Sequence, residues 1–259
     1  MVKGLYTAYT GMLNEQNRMD IMTNNLANAS TVGYKKEGST SQSFDDVLTV
    51  KIKDQSVGMR NVQKIGIKNP GVKIGENYTD YSQGSFRITG NTYDLALSGE
   101  GFFAIEFTNK AGETDTKYTR AGQFTLNKDG YLVTEEGDYV LDTPNRRIRL
   151  NTLIDSSITD DGTIYQNGQA MAKIQVTDFA DYDYLEKYGE TYYQPIQGAQ
   201  TIASNAQVKS GYLEMANVQI VSEMVNLISI TRAYESNQKV VQTIDDTLDV
   251  AVNQIGRIQ

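Results

Sequence analysis

From Leu213 to Ile255 the chain places an apolar or aromatic side chain at every seventh position: Leu213, Ile220, Leu227, Tyr234, Val241, Leu248 and Ile255. A second column three or four places on holds Ala216, Met224, Ile230, Ile244, Ala251, Val252 and Ile258. A heptad sustained this long keeps one seam turned toward a partner helix and implies left-handed supercoiling. Neither Pro nor Gly interrupts Tyr212 to Ile255, so the pattern predicts one helix of about 65 Å at about 1.5 Å per residue. Such a helix is too long, and its stripe too narrow, to be satisfied as an ordinary amphipathic helix on a small domain.

The opposite end of the chain offers a partner. Leu5, Met12, Met19 and Leu26 are again spaced by seven, with Ala8 and Met22 in the intermediate places and Glu15 weakening the seam. The helix is predicted to stop between Asn28 and Gly33, where poor helix formers lead to a terminating glycine. The plainer alternative is two unrelated surface helices on a central domain; seven consecutive matches in the C-terminal column favour heptad pairing.

Composition narrows the class. A length of 259 residues allows one or two cores, and 39% hydrophobic content with mean hydropathy of −0.46 describes a rather polar chain. No run is apolar enough to span a bilayer, and Met1–Tyr6 lacks the apolar block of a secretory signal. A net charge of −8 makes nucleic acid and anionic lipid poor partners. The basic run Arg146-Arg147-Ile148-Arg149 reads as the solvent face of one strand. There is no Cys and no His, which removes disulfides, thiolate chemistry and the commonest acid–base side chain. No catalytic, cofactor-binding or metal-binding residue is expected.

Between the helices the texture changes. Residues 33–75 are polar and Gly-punctuated, with one clear alternation at Leu48–Lys53 and turn signals at Asp54–Gly58 and Asn69-Pro70-Gly71. Residues 76–205 show short strands separated by turns: Phe86–Ile88, Leu95–Leu97, Phe102–Phe107, Tyr118–Arg120, Gln123–Leu126, Tyr131–Thr134, Tyr139–Leu141 and Lys173–Thr177. Asn127–Gly130, Asp160–Gly162 and Gln166–Gly168 read as hairpin turns, while Asp181–Gly189 reads as a helical turn or a loop. The expected architecture is therefore α+β. It has an N-terminal helix in 1–32, an extended connection over 33–75, a mostly antiparallel β domain over 76–205 and a heptad helix over 206–259. The two helices form a coiled-coil-like helical domain.

Two local patterns resemble ligand sites. Thr125, Asn127, Asp129, Gly130, Leu132 and Glu136 fall on a calcium-loop template, but Thr replaces the first acid and strands flank the loop, so a hairpin explains them better. Gly99-Glu100-Gly101 precedes an apolar run without the lysine or the helix of a phosphate loop, and reads as a turn into a buried strand. Met12, Met19 and Met22 suit a surface that meets related, non-identical partners, though core packing is the simpler account.

Several motifs, in order, resemble those of bacterial flagellar rod and hook proteins. Asn24-Asn25-Leu26-Ala27-Asn28-Ala29-Ser30-Thr31-Val32-Gly33-Tyr34-Lys35 is similar to that family's signature after its first helix. Ser82-Gln83-Gly84, Thr89-Gly90-Asn91, Asp94–Leu97, Gly101–Phe103, Tyr118–Phe124 and Asp129–Thr134 resemble its β-domain core. Gly211–Val218, including Asn217 and Val218, Glu223–Ile228, and Arg232-Ala233-Tyr234-Glu235 through Lys239 resemble its tail. The likeness runs nearly end to end. The length leaves room for one β domain, which resembles a distal- or proximal-rod subunit more than a hook subunit. Ala216 stands where the family commonly has Ser, and Ile230-Thr231 also departs from its pattern.

That resemblance implies a structural, non-enzymatic subunit, exported through the flagellar export apparatus and polymerised into a helical tube in the periplasmic part of the basal body. Its implied partners are copies of itself, neighbouring rod and hook subunits and the surrounding ring proteins. The seam residues Leu5, Met12, Met19, Leu26, Leu213, Ile220, Leu227, Ile230, Tyr234, Val241, Ile244, Leu248 and Ile255 would carry self-assembly. The competing reading is a soluble β-domain enzyme or carbohydrate-binding module dimerised by a terminal coiled coil, with Asp45, Asp46, Asp160 and Asp161 as its first candidate carboxylates.

Overall fold

The computed structural model describes residues 2–51, 63–109 and 112–255. The end of the expected strand at Leu48–Lys53 and the turn at Asp54–Gly58 therefore lie outside the described residues. Among those residues the chain forms two α-helices, α1 (Val2–Ala27) and α2 (Ile220–Val250), and short strands whose pairings are all antiparallel. The fold is α+β. Two compact units divide it: one from Met1–Leu26, Glu37–Asp80 and Ile220–Gln259, the other from Ala27–Lys36 and Tyr81–Gln219.

In the first unit the helices lie side by side. α1 carries Gly4 and Gly11 in its interior, each costing about 1 kcal/mol of helix propensity relative to Ala. What the helix gains is close approach: a Cβ at Gly4 would sit 3.6 Å from Ile244 Cδ1, and one at Gly11 would sit 3.0 Å from Asn237 Nδ2. Seven residues forward in α1 correspond to seven backward in α2, so the helices are antiparallel. Shielding along α2 keeps the same period. Leu227, Ile230, Tyr234, Asn237, Val241, Ile244 and Leu248 are buried or half-buried, while most positions between them are exposed.

The same unit holds a nested β ribbon. β1 (Glu37–Ser43) pairs with β4 (Val72–Thr79), and inside them β2 (Val47–Lys51) pairs with β3 (Gln63–Lys68). The turn Asn69–Gly71 joins β3 to β4, its Asn69 Oδ1 accepting from Gly71 N at 2.9 Å. Polar side chains of α1 fasten the ribbon along the helix. Asn25 exchanges two hydrogen bonds with the backbone of Glu37 at 2.8 and 2.9 Å, Asn14 Oδ1 accepts from Ser41 Oγ at 3.0 Å, and Thr7 Oγ1 donates to Pro70 O at 3.2 Å. The described residues of the connection expected over 33–75 thus form two two-stranded antiparallel sheets, β1 with β4 and β2 with β3, their ordering offset by these hydrogen bonds rather than by apolar burial.

The second unit is all β apart from one short turn of helix. Its strands in chain order are β5 (Phe86–Ile88), β6 (Leu95–Ser98), β7 (Phe102–Thr108), β8 (Thr114–Thr119), β9 (Phe124–Leu126), β10 (Leu132–Thr134), β11 (Tyr139–Asp142) and β12 (Arg146–Arg147). They continue as β13 (Ser156–Ile158), β14 (Thr163–Gln166), β15 (Gln169–Lys173), β16 (Val176–Phe179), β17 (Leu185–Tyr188), β18 (Tyr192–Pro195), β19 (Thr201–Ala203), β20 (Gln207–Ser210) and β21 (Tyr212–Glu214). The main sheet runs β17-β18-β8-β7-β11-β10-β9, with β16 also on β7. β7 is buried on both faces, which explains its unbroken apolar run. Phe103 points into a core with Leu95, Phe124, Leu132, Val140 and Val208; Phe102 and Ala104 point into another with Tyr118, Leu141, Phe179 and Tyr193.

The hairpins expected at Asn127–Gly130, Asp160–Gly162 and Gln166–Gly168 form between β9 and β10, β13 and β14, and β14 and β15. Asp181–Gly189 contains the 3-10 turn Tyr182–Tyr184 followed by β17. The structure corrects the start of the C-terminal helix. Residues 206–219 do not belong to it: β20 pairs with β6 and β21 with β5, so Leu213 is a buried strand residue and the helix begins at Ile220. Heptad spacing cannot separate these, because a one-residue coincidence costs a strand nothing, and the backbone of Tyr212–Glu214 has a partner strand waiting.

Candidate assembly interface

In the β unit, the segment after α1 and the segment before α2 meet at a buried carboxylate. Glu214 on β21 is fully shielded, and Lys35 and Arg120 beside it are 1% and 3% exposed. Glu214 Oε1 accepts from Lys35 Nζ at 2.7 Å and from Gly84 N at 2.9 Å, while Oε2 accepts from Arg120 Nη1 at 3.2 Å. Lys35 Nζ also donates to Ser82 O at 2.8 Å and Arg120 Nη2 to Gly99 O at 2.9 Å. Charges remain in a low-dielectric interior only when paired and hydrogen-bonded in this way. Of these three charged groups, Arg120 Nε alone is buried without a hydrogen-bond partner among the described residues.

Backbone contacts extend the junction. Gly33 N donates to Glu214 O at 2.8 Å, Val32 bridges Met215, and Asn217 Oδ1 accepts from Lys36 N at 2.8 Å. Gly33 has φ of +70°, and a Cβ there would collide with the backbone of Arg120 and Ala121. Only glycine meets both conditions. Tyr34 is 1% exposed beneath Lys187, whose Nζ lies 4.1 Å from the ring centroid.

The helices present the opposite situation. On α2, Val221, Met224, Val225 and Ile228 are 76%, 49%, 57% and 53% exposed, and on α1 Tyr6, Tyr9 and Leu13 are 61%, 52% and 43% exposed. Each set follows helical spacing and forms an uncovered apolar face. No helix of the described residues is long and apolar enough to cross a membrane.

The expected seam residues are placed as follows. Leu5, Met12, Met19, Leu26, Leu227, Tyr234, Val241, Ile244 and Leu248 are half-buried; Ile230 is buried, Ile220 exposed, and Leu213 lies in β21. The side chain of Ile255 falls outside the described residues. The deepest α1 positions are instead Ala8, Asn14, Ile21 and Asn25. Among the motif residues, Asn25 holds β1, Asn28 accepts from Thr31 Oγ1 at 3.1 Å, and Gly33, Tyr34 and Asn217 build the junction. Val218 is half-buried, and Asn24, Arg232 and Glu235 are exposed. Lys35, Arg120 and Glu214 stand inside longer motifs of the sequence, with nothing local to mark their pairing. The available signal was three charged residues each embedded in an apolar, Gly-flanked motif. Val221, Val225 and Ile228 were also missed, since they lie off the heptad column.

The carboxylates of the enzyme reading do not converge. Asp46 Oδ1 accepts from Asn69 Nδ2 at 3.3 Å on the ribbon, and Asp161 pairs with exposed Lys173 at 2.8 Å on the β unit. The calcium-template residues form the β9–β10 hairpin, with Asn127 Oδ1 accepting from Asp129 N and Tyr131 N at 3.0 and 2.8 Å. No group of three or more His, Cys, Asp or Glu is placed to hold a metal among the described residues.

Family models match three stretches of the chain. Residues 5–35 match the flagella basal body rod protein model, 96–166 the D1 domain of flagellar hook protein FlgE/F/G, and 209–255 the C-terminal region of flagellar basal body rod FlgEFG proteins. Over 98% of this chain and 99% of its own length, the flagellar basal-body rod protein FlgG of Bacillus subtilis (strain 168) is 34% identical. The flagellar basal-body rod protein FlgF of Caulobacter vibrioides is 32% identical, and the flagellar hook-basal body complex protein FlhO of B. subtilis 31%, each over the whole of both chains. The three models cover the N-terminal helix and motif, the core of the β unit and the C-terminal helix, and they place Lys35 and Glu214 in two different matched stretches. The chain therefore belongs to the bacterial flagellar basal-body rod family, as a structural, non-enzymatic protein of the flagellar basal body.

Proposed function

We propose that this chain is a subunit of the distal or the proximal rod, and that many copies assemble into a helical hollow tube that passes torque from motor to hook. The observation that carries the reading is the pair of uncovered apolar faces on α1 and α2. A monomer gains nothing by exposing them, whereas a neighbouring copy that covers them removes apolar surface from water at about 25 cal/mol per Å². Repetition of a heterologous contact then yields a filament. In that assembly the helices pack in heptad, coiled-coil-like fashion, and the seam residues that are half-buried or exposed in the single chain become buried.

The nested ribbon tied to α1, and the buried junction that fixes residues 32–36 against 214–217, suit a subunit that must transmit force without yielding. Neighbouring rod and hook subunits, the export apparatus and the surrounding rings are the partners that this role requires. The test is deletion of residues 220–259, which leaves the β unit whole. Loss of rods and hooks from cells that rely on this chain is the expected result, and normal motility after the deletion would refute the reading.

A further inference from the structure

The two ends of one hairpin in the β unit carry opposite charge. At one end, a cavity of ≈ 420 Å³ is lined by Ser30–Val32, Arg87, Gln123, Thr134–Glu136 and Glu190–Tyr192. Glu135, Glu136 and Glu190 on its rim are exposed, and none takes part in an ion pair or hydrogen bond among the described residues; Arg87 is the cation on the wall. At the other end stands the Asn127–Gly130 turn, held rigid by Asn127 Oδ1. Its tip residue Lys128 is exposed, and Arg149, opposite Tyr131, stands beside it and donates from Nε to Asp129 O at 3.3 Å. The neighbouring turn after β11 places Arg146 at this same end, with its side chain 75% exposed and Asp142 4.0 Å away. Lys128 and Glu135 bracket the extended stretch Tyr131–Thr134, which at about 3.3 Å per residue keeps the two ends on the order of 13 Å apart.

We propose that the Lys128–Arg149 end of one copy docks into the Glu135–Glu136–Glu190 cavity of the next, so that β units add head to tail. This rests on the reading of the chain as a polymer subunit and supplies a contact in which the helices take no part. A second copy is the occupant because the complementary charge is on this chain itself. With a net charge of −8, copies repel one another at long range, and a locally positive end facing a locally negative one selects the orientation in which they can meet. The two patches are different surfaces at opposite ends, so the contact is heterologous and cannot close on itself by a two-fold axis. It is also the salt-sensitive part of the assembly, whereas apolar helix seams persist when the Debye length shrinks.

The test uses the full chain with Lys128→Cys and Glu136→Cys combined. The sequence has no Cys of its own, and a disulfide requires Cα atoms about 4.4–6.8 Å apart, so these positions cannot bridge within one copy. Oxidation of isolated rods is expected to give a ladder of covalent multimers on a non-reducing gel, with each single-Cys variant giving no ladder. Rods that form but remain monomeric on that gel would overturn the contact. Independently, Lys128→Glu and Glu136→Lys should each raise the concentration needed for sedimentable assembly by about tenfold, with the two together restoring it. A combined variant no better than the singles would likewise overturn the proposal. Absence of rods from the unaltered chain would refute the polymer reading itself, and this contact with it.

Discussion

Replacing Glu214 with Ala removes an anion shared by two shielded cations. The carboxylate accepts three hydrogen bonds, at 2.7 Å from Lys35, 2.9 Å from Gly84 and 3.2 Å from Arg120. Lys35 and Arg120 keep carbonyl partners at Ser82 and Gly99, which satisfy donors without neutralising charge. Breaking a buried pair from one side costs about 3–5 kcal/mol, and at about 2–4 °C per kcal/mol for domains of this size the melting point should fall by about 6–20 °C. Near-UV circular dichroism of the tyrosines, followed through a urea or thermal transition, reports chiefly on the β unit, because the chain has no Trp and only Tyr6, Tyr9, Tyr78 and Tyr234 lie in the helical unit. Glu214→Gln, which retains one acceptor oxygen, should lose less. Lys35→Met should rescue part of the Glu214→Ala loss, leaving the double variant about 1–3 kcal/mol short of additivity. A loss below about 1 kcal/mol, or strictly additive effects, would refute the account of this junction.

Gly33→Ala should destabilise the β unit by about 2 kcal/mol or more, since it combines a positive φ with a backbone collision; equal urea midpoints would contradict this. Val225→Asp with Ile228→Asp changes exposed positions, so the stability of the free monomer should stay within about 0.5 kcal/mol of the unaltered chain for each substitution while sedimentable assembly disappears. Ile230→Ala, at a shielded position of the same helix, should instead cost about 2–4 kcal/mol in the free monomer. The Arg147 guanidinium hydrogen-bonds Glu106 and holds that carboxyl below the usual carboxylate range. A lowered folded pKa adds stability above the ordinary value near about 4.3 and loses it as pH falls through the folded value. Arg147→Gln should thus cost about 0.2–1 kcal/mol at pH near neutrality, since the pair is partly exposed, and nothing once acid has protonated both states; an equal deficit in strong acid would contradict the pairing.

Much of the β unit could be read from the chain because its turns are chemically explicit. Asn127–Gly130 and Gln166–Gly168 supply the positive-φ positions that hairpins require, and the double-faced burial of β7 shows as Phe102–Ile105. The helix α2 was visible from its period, but not its start. Gly211 with φ of +82° and the waiting edge of β5 hold Tyr212–Glu214 extended, and no local propensity announces a distant partner strand. The ribbon was underestimated for a related reason: β1 is polar throughout, and its order comes from Asn14 and Asn25 on α1 rather than from its own apolar content. The junction residues were legible only as motif letters, since pairing of Lys35, Arg120 and Glu214 spans 179 positions at its widest. The extra face on α2 stayed hidden because a heptad count looks for one seam and this helix carries two.

The interleaving of the two units along the chain bears on the timing of folding. The helical unit draws on three separate stretches, the last beginning at Ile220, while the β unit is complete once Gln219 has emerged. A chain delivered from its N-terminus can therefore finish its sheet while α1 still lacks the helix that lies against it. Until the stretch from Ile220 follows, α1 exposes both its uncovered face and the side that α2 shields, so the interval between completion of the sheet and arrival of α2 is when a young molecule is most prone to associate.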